Sequence, residues 1–70
     1  MKVFSFAGII FNADNVCTIQ KINMKKSEKD DTIVPGLQIV TVAGGVNFSF
    51  ENEEERDKKF DEFLHNLEKL

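Results

Sequence analysis

The sequence predicts an α+β domain, a four-stranded antiparallel β-meander followed by one C-terminal amphipathic helix packed on the sheet. Three observations carry this. Val46, Phe48 and Phe50 alternate with Asn47 and Ser49, which is the period of a strand. The apolar period then changes to Phe60, Phe63, Leu64, Leu67 and Leu70, which is one face of a helix. Only Glu51 and Asn52 separate the two patterns, so the helix must turn back at once and lay its stripe on the sheet.

The elements follow in chain order. Residues 3–11 form the first expected strand, with Phe4 and Phe6 on one face, Val3, Ser5 and Ala7 on the other, and Gly8 marking a bend or bulge within it. Asn12 to Asn15 is turn chemistry, because Asn and Asp tolerate left-handed backbone and bond their own main chain. Residues 16–24 form a second strand with an untidy alternation. Residues 25–31 contain no apolar side chain, which predicts a flexible, solvated loop. Pro35-Gly36 is a type II turn signal. Residues 37–43 and 46–50 are the third and fourth strands, closed into a hairpin by Gly44-Gly45.

The helix is expected over 53–69. Asn52 is placed to cap it, with Glu55 as the second half of a capping box and Glu53 and Glu54 in the first turn, where the helix dipole favours negative charge. Glu54 with Lys58 and Glu55 with Lys59 are the expected i,i+4 pairs. Arg56 sits at the top of the apolar stripe, where its aliphatic stem covers the core edge.

Seventy residues make one domain. A chain of that size buries only about 60% of its unfolded surface, so it needs a staple. The lone Cys17 and lone His65 rule out an internal disulfide and most zinc arrangements, which leaves oligomerisation as the common remedy. A free thiol, no membrane-length apolar run and no small-x-small cleavage site after the first eleven residues together predict a cytoplasmic protein with no membrane association.

A homodimer is the first expectation for another reason as well. Ile9, Ile10 and Phe11 are apolar in succession, and Val40 and Val42 oppose Leu37 and Ile39. One helix cannot cover both faces, so Ile9, Phe11, Val40 and Val42 are the expected oligomer interface. The competing reading is a sheet curled tightly enough to hide both faces.

Charge is uneven. Residues 1–50 carry five lysines against four acids, whereas residues 51–70 carry four basic side chains against eight acids. An acidic helix face of Glu54, Asp57, Asp61 and Glu62, together with Lys25, Lys26 and Lys29 on the loop, forms the expected partner-binding surface, suited to a basic protein partner. The net charge of −3 disfavours nucleic acid. A single-strand binder would have to use Phe4, Phe6, Lys2 and Lys21 on the sheet. A third reading places an anionic ligand at subunit junctions near Lys21, Lys25, Lys26 and Lys29.

No residue pattern indicates catalysis, a metal or a cofactor. His65 projects from the polar side of the helix and has no neighbouring nucleophile in the pattern. The acids from Glu51 to Glu55 fan around a helix start and do not converge as a calcium loop does. Gly44-Gly45 lacks the spacing and the lysine of a phosphate loop. The sequence predicts a small non-enzymatic interaction or regulatory module that works as a homo-oligomer, such as an inhibitor that occupies a partner's surface.

Overall fold

Turn chemistry divides the amino-terminal apolar run into a hairpin of its own. In a computed structural model describing residues 2–69, the elements are β1 (Val3–Phe6), β2 (Ile9–Asn12), a 3-10 turn (Ala13–Asn15), β3 (Val16–Lys25), β4 (Ile33–Thr41), β5 (Gly44–Ser49) and α1 (Glu53–Lys69). The α+β class, the antiparallel pairing and the single C-terminal helix are as expected. The four-stranded meander is not, because β1 and β2 form a separate two-stranded sheet beside the three-stranded sheet β3-β4-β5.

The expected strand over 3–11 breaks at Ala7-Gly8. Both residues have positive φ, 50° and 80°, and Phe6 lies directly opposite Ile9. Positive φ at both central residues is the two-residue turn whose twist matches that of the flanking strands. Glycine adopts it freely, whereas Ala7 is held there by the pairing on either side.

Pro35-Gly36, expected as a type II turn, lies inside β4. The β3–β4 pairing runs from Thr18 opposite Val40 to Lys25 opposite Ile33, so the strand begins at Ile33 where Leu37 was expected. A proline is tolerated in this central strand because of where its missing N–H would point. The Pro35 carbonyl accepts from the Phe50 amide at 2.9 Å, and the β5 register ends at Gly36 opposite Ser49, so the lost donor costs one bond to the Phe50 carbonyl, just beyond the end of β5, and none to β3. Gly36 is required for close approach instead of for a turn. A Cβ there would lie 2.7 Å from the Phe48 carbonyl oxygen and 2.8 Å from Met24 Sδ.

The β4–β5 turn falls on Val42-Ala43, two residues earlier than Gly44-Gly45. Thr41 Oγ1 accepts from the Ala43 amide at 3.2 Å and donates to the Gly44 carbonyl at 3.0 Å, which closes the turn. Gly44, at φ 133°, then opens β5 opposite Thr41. A register shift between Val16 and Thr18 explains the untidy second strand, because beyond it Ile19 joins Val16 against the core.

The core lies where the inner faces of both sheets meet the helix. Phe6, Phe11, Leu37, Ile39 and Phe63 are buried, with Phe4, Val16, Ile19, Phe48, Phe50, Phe60 and Leu67 packed around them. Phe63 is the hub. Its ring lies edge-on to Phe4, Phe6 and Phe11 at 5.2, 5.1 and 5.5 Å, the arrangement in which aromatic quadrupoles attract. The β1–β2 hairpin therefore closes over the core, absorbing much of the apolar surplus that was expected to recruit a second subunit. The outer face of the three-stranded sheet has a polar middle, where Gln20 donates to Gln38 and Asn47 lies opposite Gln38.

The helix has its expected bounds. Asn52 Oδ1 accepts from the Glu55 amide at 2.8 Å, the expected cap, and Asn52 O accepts from the Arg56 amide at 3.2 Å. Lys59 pairs with Glu62 at 3.2 Å in place of Glu55. Phe60, Phe63, Leu64 and Leu67 face the core side, and Leu70 of the expected stripe lies outside the described residues. The 25–31 segment, expected to be a flexible loop, closes on itself. The Lys26 amide donates to the Thr32 carbonyl at 2.9 Å, and the Thr32 amide donates to Asp30 Oδ1 at 2.9 Å. With the long β3–β4 hairpin the molecule measures 40 × 25 × 18 Å, and its radius of gyration of 12.5 Å exceeds the roughly 11 Å of a compact chain this size.

Candidate interaction surface

The expected binding residues divide into those held by neighbours in the fold and those left exposed. Asp57 belongs to the first group. Its Oδ1 lies 3.1 Å from Lys21 Nζ on β3 and 2.9 Å from Arg56 Nε, joining strand to helix. Hydrogen bonds from Lys21 and then Arg56 hold the Asp57 carboxyl below its ordinary range. Lys21 Nζ also sits 5.0 Å from the centre of the Phe60 ring, and Arg56 Nη1 donates to the Ile22 carbonyl at 3.4 Å. Lys25 pairs with Asp31 at 3.3 Å, and Glu62 with Lys59. Glu54, Asp61 and Lys29 are exposed.

Lys26 is brought together with the helix start. A groove of about 580 Å³ is lined by Lys26, Thr32 and Val34 from the hairpin, Ser49 and Phe50 from the end of β5, and Glu51 and Glu55. It opens where β4 outruns β5. A second hollow of about 270 Å³ shares Glu55 and adds Asn52, Glu54 and Lys58, so the two expected binding surfaces meet around Glu55. Asp61 and Glu62 lie about two turns further along the helix. Thr32, Val34, Ser49 and Phe50 were not legible as lining residues, since the groove exists only because β4 extends four residues ahead of its expected start.

The expected oligomer residues also separate. Phe11 is buried in the core, where β2 turns it towards Phe63, so it has no surface to offer a second copy. Ile9 is 38% exposed, Val40 is half-buried, and Val42 stands 70% exposed at the β4–β5 turn. Ile10 is 71% exposed on the outer side of β2. The aromatic platform that nucleic acid would need is turned inward, with Phe6 buried and Phe4 stacked 5.8 Å from Phe11.

Among the described residues, no three His, Cys, Asp or Glu side chains gather where they could hold a metal ion. His65 is exposed on α1, and Cys17 is exposed beside the β3 register shift with Sγ 3.9 Å from the Asn15 carbonyl. Among the described residues, no helix is long and apolar enough to cross a membrane. No protein-family model, curated protein or solved structure matches the chain.

Proposed function

We propose that this chain is a small non-enzymatic interaction module that works in the cytoplasm as a homo-oligomer and acts by occupying the surface of a basic partner protein. The observation that supports the reading is the groove of about 580 Å³ between the loop end of the β3–β4 hairpin and the helix start, where Glu51 and Glu55 outnumber Lys26 and which shares Glu55 with the hollow that carries Glu54 and Lys58. Phe50 and Val34 add apolar lining, and two acids against Lys26 leave the groove net negative. A cationic side chain with an aliphatic stem, lysine or arginine, complements both features.

Titration of isotope-labelled protein with a lysine-rich peptide, followed by amide chemical shifts, tests this reading. The expected result is perturbation confined to residues 26–34 and 49–58, weakening as salt screens the rim charges. Perturbation elsewhere, no perturbation at low salt, or affinity indifferent to salt would overturn it.

A further inference from the structure

We infer that the outward edge of β3 is a self-association site, at which a second copy of this chain pairs antiparallel with the first across a two-fold axis at Ile22. The inference rests on the homo-oligomer reading above and specifies its surface. In the sheet order β3-β4-β5, β3 is an edge strand and, at ten residues, the longest strand in the chain. The Lys26 amide bonds to the Thr32 carbonyl, so the alternation of the ladder turns the amides and carbonyls of Ile19, Lys21, Asn23 and Lys25 away from β4. An open edge of this length is a template for another strand, and proteins commonly guard such edges with lysines. Here the guarding lysines are held within their own copy, which leaves the edge amides and carbonyls open while their charges still count against like-charged pairing. Lys21 is drawn onto Asp57 and the Phe60 ring, and Lys25 onto Asp31.

Charge selects the register. An axis at Lys21 sets that lysine opposite itself, and an axis at Asn23 sets Lys21 opposite Lys25, both of which place like charges face to face. An axis at Ile22 sets Lys21 opposite Asn23 and Lys25 opposite Ile19, with each pair exchanging amide and carbonyl. The same axis puts Ile22 against Ile22 and Gln20 against Met24 on the outer face, extending the half-buried Ile22, Met24 and Val34 strip across both copies. Registers centred on Gln20 or Met24 pair fewer residues, because the Val16/Thr18 register shift or the loop interrupts them.

Sedimentation together with directed cross-linking tests the inference. At the axis, Ile22 forms a non-hydrogen-bonded pair with Cα atoms about 4.5 Å apart, within disulfide reach. In a Cys17→Ser background, Ile22→Cys is expected to give a disulfide-linked dimer on mild oxidation, whereas Gln20→Cys and Met24→Cys are not. Asn23→Pro removes an outward amide and leaves the β3–β4 ladder intact, and Asn23→Lys sets two lysines face to face. Both are expected to shift the dimer to monomer while the far-ultraviolet spectrum stays unchanged. If the dimer survives both Asn23 variants and Ile22→Cys does not cross-link, the β3 edge is refuted and the homo-oligomer reading stands on another surface. If the unaltered protein is monomeric at every concentration, both fail.

Discussion

Replacing Gly36 with alanine tests the account of the sheet most directly, because the strand and the turn readings of Pro35-Gly36 disagree about it. In β4 the new Cβ would lie 2.7 Å from the Phe48 carbonyl oxygen and 2.8 Å from Met24 Sδ. Met24 is a flexible side chain and can swing away, but the Phe48 carbonyl is part of the β4–β5 ladder and cannot move without disturbing Leu37 opposite Phe48. Overpacking of this kind costs about 1–3 kcal/mol. Reduced freedom of the unfolded chain returns about 0.4–1 kcal/mol. The net loss is about 1–2 kcal/mol, a large share of the roughly 3.5–10 kcal/mol expected for a chain this size. Urea unfolding monitored by circular dichroism measures it, and the melting temperature falls by roughly 5–15 °C. The loss persists in a Met24→Ala background, since the carbonyl contact remains. A neutral or stabilising Gly36→Ala would refute the close-approach argument, and a Gly36→Asn better tolerated than Gly36→Ala would restore the left-handed turn.

Ala7→Asn is expected to raise stability by about 0.5–1 kcal/mol, because asparagine accepts positive φ at the first turn residue far better than alanine does; the urea midpoint reads it, and no gain would count against the Ala7-Gly8 turn. Phe63→Ala removes a fully buried ring against which three other phenylalanines pack and is expected to cost about 3–5 kcal/mol, leaving the chain close to unfolded, whereas Phe60→Ala at the half-buried end of the stripe costs less. Near-ultraviolet circular dichroism and urea unfolding separate the two. Asp57 is held below its ordinary 3.8 by Lys21 and Arg56, so its contribution is fully present above that value and disappears as the pH falls through the lower folded value. Acid titration of Asp57→Asn should show a shallower loss of stability below pH 3.8 than the unaltered protein, and identical acid limbs would mean that the strand-to-helix tie contributes nothing.

Local chemistry made the helix fully legible from its residues. Asn52 and three following acids announce its start, and the spacing of Phe60, Phe63, Leu64 and Leu67 assigns its buried face without reference to the rest of the chain. The faces of β1 and β5 were equally legible, since period-2 alternation needs no partner to be read. Acidic charge on the helix was plain as well, but which acids stay free was not. Asp57 and Glu62 have the same side-chain chemistry as Glu54 and Asp61, and only the approach of β3 sets a lysine against Asp57.

What tertiary structure alone decided is where turns fall and which residues face inward. Pro35-Gly36 and Gly44-Gly45 carry strong turn signals, yet pairing along β3 draws the first into a strand, and the Thr41 hydroxyl closes the second turn two residues early. Ala7-Gly8 carries a weak signal, and pairing between Phe6 and Ile9 makes it a complete reversal. Turn propensity is worth a fraction of what a continuous ladder and a shared aromatic core contribute, so non-local contacts prevail wherever the two disagree. The same balance turns Phe11 inward to Phe63 and leaves Ile10, its neighbour, facing the opposite way.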